Sequence, residues 1–123
     1  MTDPTTPQPQ TAERVLVCGG RHYTDHERVS EVLSRLDFAE LAHGGAPGAD
    51  ALAAWFAVAN GKVARQFAAD WKAHGKAAGP IRNQRMLAQF KPDLVVAFPG
   101  GRGTAHMVRI AREAGVDVME VAS

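Results

Sequence analysis

The stretch LVVAFPGGRGTA, residues 94–105, decides the fold, because an apolar run ends there abruptly in a glycine-rich turn. The run predicts a buried strand, and the helical spacing of Met107, Val108 and Ala111 predicts a helix after the turn. Glycines let a ligand approach the backbone, whose N–H groups then point at an anion at the positive end of the helix. Arg102 adds a guanidinium suited to phosphate or carboxylate. The alternative is a tight turn that needs glycine for its geometry alone.

Composition favours one cytosolic domain. The chain has 123 residues, of which 46% are hydrophobic, enough for a single domain with a real core. Lys+Arg number 14 and Asp+Glu 13, so we expect neither nucleic-acid binding nor attraction to a membrane surface. No apolar run approaches the roughly 20 residues of a membrane helix. The N-terminus lacks the features of a secretory signal, and we expect a cytoplasmic location.

The single cysteine, Cys18, excludes an internal disulfide and a cysteine-based zinc cluster. We expect Cys18 to be a buried core thiol rather than a nucleophile. His22 and His26 are four residues apart, but no carboxylate or cysteine cluster accompanies them, so we predict no metal site. Residues 1–13 are rich in Pro, Thr and Gln and are expected to form a disordered tail before a single domain over residues 14–123.

Apolar runs alternate with helical patterns along the chain. Strands are predicted at about 15–18, 39–43, 62–67, 93–98 and 116–121, and helices at about 25–36, 48–60, 80–91 and after the turn at 99–104. Thr24 is expected to cap the first helix in a capping box with Glu27. The alternation predicts an α/β, Rossmann-like three-layer domain with a five-stranded parallel sheet in the order 3-2-1-4-5.

Two further glycine-rich turns follow predicted strands. Gly19-Gly20-Arg21 comes after the first strand, and the segment from Gly44 to Asp50 comes after the second. Ligands of such sheets bind at the carboxyl edge, where the strand order reverses. We therefore expect the three turns to meet there. The predicted ligand-binding residues are Gly19, Gly20, Arg21, Gly44, Gly45, Gly48, Asp50, Arg82, Asn83, Pro99, Gly100, Gly101, Arg102, Gly103 and Thr104.

Three of the candidate residues have two interpretations each. Asp50 either contacts a ribose hydroxyl or stabilises a helix N-terminus, as an acid does there. Arg82 either closes the site together with Asn83 or lies on a solvated helix face. Trp71 is either a core aromatic residue, which we favour, or a platform on which a base stacks.

Known catalytic and nucleotide-binding motifs are missing. The first turn reads CGGRHY, residues 18–23, and does not match a dinucleotide fingerprint. Gly61-Lys62 and Gly75-Lys76 lack the Ser or Thr of a Walker A loop, and no Gly-x-Ser-x-Gly elbow occurs. These motifs therefore do not assign a function to the three turns.

Four segments together resemble the YspA-like branch of the SLOG superfamily. They are VCGGR at 17–21, HGGAPGAD at 43–50, AADWKAHGKAAGPIRNQRM at 68–86 and VVAFPGGRGTAHMV at 95–108, and the resemblance spans about residues 14–121. It implies a Rossmann-like domain, related to LOG-type phosphoribohydrolases and to DprA/Smf proteins. It also implies binding of a nucleotide or nucleotide-derived ligand, such as an NAD or ADP-ribose derivative. We expect that no cofactor is required.

One position departs from the LOG-type hydrolases, which carry PGG-x-GT-x-x-Glu. The glutamate that acts there in cleavage of the N-glycosidic bond is replaced by Met107, which can neither accept a proton nor stabilise an oxocarbenium ion. His106 is adjacent but points about 100° away around a helix. Asp50 and His106 are the remaining catalytic candidates. The first interpretation is thus a nucleotide-binding domain that acts as a sensor or processing domain. The second is a hydrolase of an N-glycosidic or phosphoribosyl bond, and the third is a nucleic-acid or partner-binding module.

Trp55 and Phe56 are adjacent on one predicted helix and point about 100° apart. One side chain can face the core and the other a partner, which suggests a homodimer formed through this helix.

Overall fold

The computed structural model describes residues 13–123, and residues 1–12, nearly all of the predicted tail, lie outside it. The strands form one parallel sheet in the order β3-β2-β1-β4-β5, as predicted. Their bounds are β1 (Arg14–Cys18), β2 (Glu40–His43), β3 (Val63–Gln66), β4 (Leu94–Ala97) and β5 (Asp117–Glu120). The strand order reverses between β1 and β4, which are hydrogen-bonded neighbours.

Helices cover both faces of the sheet. They are α1 (His26–Ser34), α2 (Ala49–Ala59), α3 (Trp71–His74), α4 (Ala78–Phe90) and α5 (Arg102–Glu113), and a short 3₁₀ turn links α3 to α4. The helices α1 and α2 pack together on one face, and α4 and α5 on the other. Right-handed crossovers require this arrangement, because the chain runs outward from β1 in one direction and from β4 in the other.

The central strands explain the two-sided core. In β1, Val15 and Val17 face the cluster beneath α1 and α2, and Leu16 and Cys18 face the cluster beneath α4 and α5. Successive side chains of a strand point to opposite faces, so a continuous apolar run buries both. The edge strands β3 and β5 are more exposed and carry polar residues.

The start of α1 differs from the prediction. Asp25, and not Thr24, is the N-cap, and its carboxylate accepts a hydrogen bond from the Arg28 N–H at 3.0 Å. The expected cap at Thr24 is therefore wrong by one residue. A carboxylate at the positive end of the helix satisfies a backbone donor of the first turn, as a hydroxyl one residue earlier would.

The two aromatic residues of α2 point in different directions, as the helix geometry requires. Phe56 is buried in the core, whereas Trp55 is 57% exposed and contacts the His26 ring edge-on at 4.7 Å between centroids.

Within residues 13–123 no helix is both long enough and apolar enough to cross a membrane.

Candidate functional site

The three glycine-rich turns meet at the carboxyl edge of the sheet. The Gly20 N–H donates to the Pro99 carbonyl at 2.9 Å, and the Gly20 carbonyl accepts from the Ala49 N–H at 3.1 Å. The turn after β1 is thereby bonded to the turn after β4 and to the start of α2. The predicted convergence of the turns is present in the fold, at the point where the strand order reverses.

The backbones approach so closely that several glycines have no room for a side chain. A Cβ on Gly20 would lie 2.9 Å from the Pro99 carbonyl oxygen, and one on Gly100 would lie 2.7 Å from the Gly20 nitrogen. Gly48 has a φ of +79°, and its Cβ would lie 2.6 Å from the Arg21 carbonyl carbon. These glycines hold the turns against one another. For them the alternative interpretation applies, in which the turn needs glycine for its geometry alone.

A cleft of about 320 Å³ opens on the α4–α5 side of these turns. Most of the predicted binding residues line it, namely Gly19, Gly20, Arg21, Gly44, Asp50, Arg82, Asn83, Gly101, Arg102, Gly103 and Thr104. Residues that we did not assign to binding also line it, namely Val17, Cys18, Ala46, Trp71 and Met86.

Four predicted residues do not line the cleft. Gly45 packs against the Gln66 side chain, and Gly48 packs against the turn after β1. Pro99 and Gly100 face a shallow groove on the other side of the turns, together with His22 and Tyr23. The glycine pattern alone could not distinguish these packing positions from cleft positions.

One end of the cleft is suited to an anion. Helix α5 starts after Gly101 without a side-chain cap, and Gly101 accepts its first helical hydrogen bond from Ala105. In the described part of the chain, no acceptor bonds to the N–H groups of Arg102, Gly103 and Thr104. A Cβ on Gly101 or Gly103 would meet nothing within 4 Å, so the turn is open. Unpaired N–H groups and the helix dipole together favour a phosphate or carboxylate.

Asp50 places a carboxylate in the same cleft. It lies in the first turn of α2, is only 6% exposed, and its Oδ2 accepts from the N–H groups of Gly44 at 3.0 Å and Ala46 at 3.3 Å. Burial raises the pKa of Asp50 above its ordinary value, and those N–H groups and Arg82 oppose the rise. Its Oδ1 accepts no hydrogen bond from residues 13–123 and is not sealed from solvent. This oxygen is available to a ligand hydroxyl.

Arg82 is held by the protein rather than lying on a solvated face. Its Nη1 donates to the Gly44 carbonyl at 2.7 Å and to the Phe67 carbonyl at 3.4 Å, and its Nε donates to Asn83 Oδ1 at 3.0 Å. The guanidinium thus ties α4 to the chain segments that follow β2 and β3. Its Nη2 has no acceptor in the described part of the chain.

Asn83 is buried and connects α4 to the start of α5. Its Oδ1 faces Arg82 Nε, which can only donate, and its Nδ2 lies 3.2 Å from the Gly103 carbonyl, which can only accept. These two partners fix the orientation of the amide. The same Nδ2 lies 3.1 Å from Nδ1 of His106, so that ring nitrogen must accept and the neutral ring carries its proton on Nε2.

Of the two catalytic candidates, His106 is poorly placed for proton abstraction. His106 does not line the cleft, its Nδ1 is occupied by Asn83, and burial and Arg109 lower the pKa of the ring. Met107 is fully buried in the core beneath α4 and α5, so the position of the LOG-type glutamate faces inward here. Burial, followed by the charges of Asp50 and Glu120, raises the pKa of the Cys18 thiol to about 12, which keeps it protonated.

Trp71 is the residue whose placement our sequence interpretation missed. We favoured a core position, but the side chain is 60% exposed and lines the cleft. The signal was present in its surroundings, because residues 68–79 show no apolar periodicity that would bury an indole.

Within residues 13–123, no three His, Cys, Asp or Glu side chains lie together as metal ligands.

Comparison with known proteins identifies the family of this chain. The model of the YspA, cpYpsA-related SLOG family matches residues 13–74, which contain the turns after β1 and β2. The Gene 61 protein of Mycobacterium phage D29 is 38% identical over 118 aligned positions, and the alignment covers 86% of this chain and 94% of the phage protein. The chain belongs to the YspA, cpYpsA-related SLOG family.

Proposed function

We propose that the cleft binds a nucleotide or nucleotide-derived ligand, with a phosphate at the start of α5 and the sugar beside Asp50. The observation that carries the proposal is the pairing of two free groups in one cleft. The N–H groups of Arg102, Gly103 and Thr104 have no acceptor in residues 13–123. Asp50 Oδ1 has no donor in the same residues. An anion and a hydroxyl are complementary to these groups.

The charges around the cleft support the same ligand class. Arg21 and Arg102 both line it, and Arg82 directs its Nη1 and Nε to protein acceptors while its Nη2 has no acceptor in the described residues. A charge-assisted hydrogen bond contributes about 1.5–3 kcal/mol. Two or three of them support an affinity on the order of micromolar, about −8 kcal/mol, once the costs of association are met.

Mass spectrometry of small molecules released from the purified protein tests the proposal first. A thermal-shift panel with AMP, NAD and ADP-ribose follows, since a ligand that binds only the folded state raises its stability by mass action. We expect a nucleotide to be recovered or at least one of the three to stabilise the protein. If no nucleotide is recovered and none of the three compounds stabilises the protein, the proposal is contradicted.

Arg102→Ala locates the binding site. We expect it to weaken the best ligand about 10- to 100-fold, which corresponds to one lost charge-assisted hydrogen bond. Arg109→Ala is the matched control, because Arg109 lies on the same helix, pairs with Glu113 at 3.1 Å and is outside the cleft. Equal effects of the two variants would show that only overall charge matters.

A hydrolase is the second candidate, favoured only by the free oxygen of Asp50 in the cleft. The inward-facing Met107 counts against the LOG-type mechanism. Chromatography of AMP incubated with the protein would detect free adenine, and Asp50→Asn would abolish its release. A binding domain releases no adenine in either form.

The proposal includes a cytosolic location. A lone cysteine fits a reducing cytosol.

The exposed Trp55 and Val58 on α2 would form the contact of a homodimer, which light scattering at tens of micromolar protein would detect. A gel shift with single-stranded DNA would favour the third class, a nucleic-acid-binding module.

A further inference from the structure

The rim of the cleft carries an exposed indole. Trp71 is 60% exposed, and of the residues that line the cleft in the described part of the chain it alone is aromatic. Other large exposed hydrophobic residues, Trp55, Val58, Val63 and Ile81, do not line it. Exposure of an indole costs hydrophobic stabilisation, so this position calls for an explanation that the core does not provide.

Local contacts hold the indole without covering it. Trp71 is the first residue of α3, and Asp70 caps this helix by accepting from the Ala73 N–H at 3.0 Å. The far edge of the ring, at Cη2, lies 3.5 Å from where a Cβ on Gly79 would stand in α4. One edge of the ring thus rests on the first turn of α4, while more than half of the side chain stays open.

The groups of the cleft correspond to the parts of one ligand. The start of α5 offers N–H groups for a phosphate, Asp50 offers an oxygen for a sugar hydroxyl, and Trp71 offers an aromatic face. A volume of about 320 Å³ lies at the lower end of the range of small-molecule sites. Phosphate, sugar and base are the three parts of a mononucleotide.

We propose that Trp71 stacks on the base of a nucleoside monophosphate, or of the monophosphate part of a longer nucleotide derivative, whose phosphate lies at the start of α5. This inference rests on the proposed function and adds the base to it. Aromatic stacking tolerates different bases, because every base has a π face. Trp71 therefore makes base-containing ligands bind more tightly than sugar phosphates while discriminating little between bases.

Calorimetry with AMP and ribose 5-phosphate separates the base from the rest of the ligand. Stacking contributes about 1–3 kcal/mol per base, so AMP should bind wild-type protein about 5- to 150-fold more tightly than ribose 5-phosphate. Trp71→Ala should remove most of this ratio and leave ribose 5-phosphate binding unchanged. Trp71→Phe should retain most of it. Unfolding curves establish that both variants are folded.

Fluorescence provides an independent readout. The chain has two tryptophans, so in a Trp55→Phe background Trp71 is the only indole. AMP, GMP and UMP should each quench its emission, whereas ribose 5-phosphate should leave the emission nearly unchanged.

The outcomes distinguish the inference from the proposed function. Equal affinities of wild-type protein for AMP and ribose 5-phosphate would overturn the role of Trp71 while the sugar-phosphate site stands. Equal weakening of both ligands by Trp71→Ala would also overturn it, because the indole would then only support the fold of the cleft. If neither ligand binds, the proposed function fails and the inference fails with it.

Discussion

Replacing Asn83 by alanine tests whether the link between α4 and the start of α5 is a structural element of the cleft. The variant loses the hydrogen bonds to Arg82 Nε at 3.0 Å, His106 Nδ1 at 3.1 Å and the Gly103 carbonyl at 3.2 Å. Each contributes about 0.5–1.5 kcal/mol net, and the partly buried partners lose their bonds to the amide. We therefore expect the free energy of unfolding to fall by about 2–4 kcal/mol.

Urea unfolding followed by far-UV circular dichroism measures this loss. Gln84→Ala is the matched control, because Gln84 is the next residue of α4 and is exposed. It should change the free energy of unfolding by no more than about 0.5 kcal/mol. Equal, small losses in the two variants would refute the idea that the Asn83 amide joins the two helices.

The same link predicts the titration of His106. Burial and Arg109 lower its pKa from the ordinary 6.5, and the fixed amide requires an unprotonated Nδ1. The unfolded chain therefore takes up the proton first, so stability is fully present above about pH 6.5 and declines as the pH falls below it. An NMR titration of the ring should give a pKa below 6.5 in the wild type and a higher one in Asn83→Ala. A wild-type pKa at or above 6.5 would contradict the fixed orientation.

Four further substitutions test the packed glycine turns and the buried groups. Gly48→Ala should destabilise by more than 2 kcal/mol, because a positive φ and backbone overlap add, whereas Gly61→Ala, with a φ of +71° and open space, should cost only ~1 kcal/mol in thermal unfolding. Because the pKa of Asp50 is raised, its contribution to the free energy of unfolding is fully present below pH 3.8 and declines as the pH rises through the folded pKa. Asp50→Asn should therefore flatten this part of the pH profile of urea unfolding. Met107→Glu should lower the midpoint of thermal unfolding without creating AMP hydrolysis, because its carboxyl would be buried in the core. Equal losses of stability in Gly48→Ala and Gly61→Ala would count against the first assignment. An unchanged pH profile in Asp50→Asn would count against the second, and a folded Met107→Glu that hydrolyses AMP would count against the third.

The fold followed from simple patterns. Continuous apolar runs at Val15–Cys18 and Leu94–Phe98 mark strands buried on both faces, and their alternation with helical periodicity allows few topologies. Strand order could be predicted because connections in α/β domains are short and right-handed. The N-cap of α1 at Asp25 could not be predicted, since Thr24 and Asp25 both provide a side-chain oxygen that can cap a helix.

The site was less accessible to sequence reasoning. Glycine permits both a close backbone approach and an open cleft surface, and only the fold assigns Gly48 and Gly100 to the first and Gly103 to the second. The direction of Met107 depends on the exact start of α5, because one residue rotates a helical side chain by about 100°. The network of Arg82, Asn83 and His106 joins elements that are distant in the chain, which no local pattern encodes.

The backbone bonds between the turns at Gly20, Pro99 and Ala49 also bear on how fast a ligand binds. The chain orders this part of the cleft when it folds, so a ligand does not have to offset the entropy of ordering these turns. Binding to such a pre-organised surface needs no slow closure of the turns, and stopped-flow association should follow a single phase that is linear in ligand concentration.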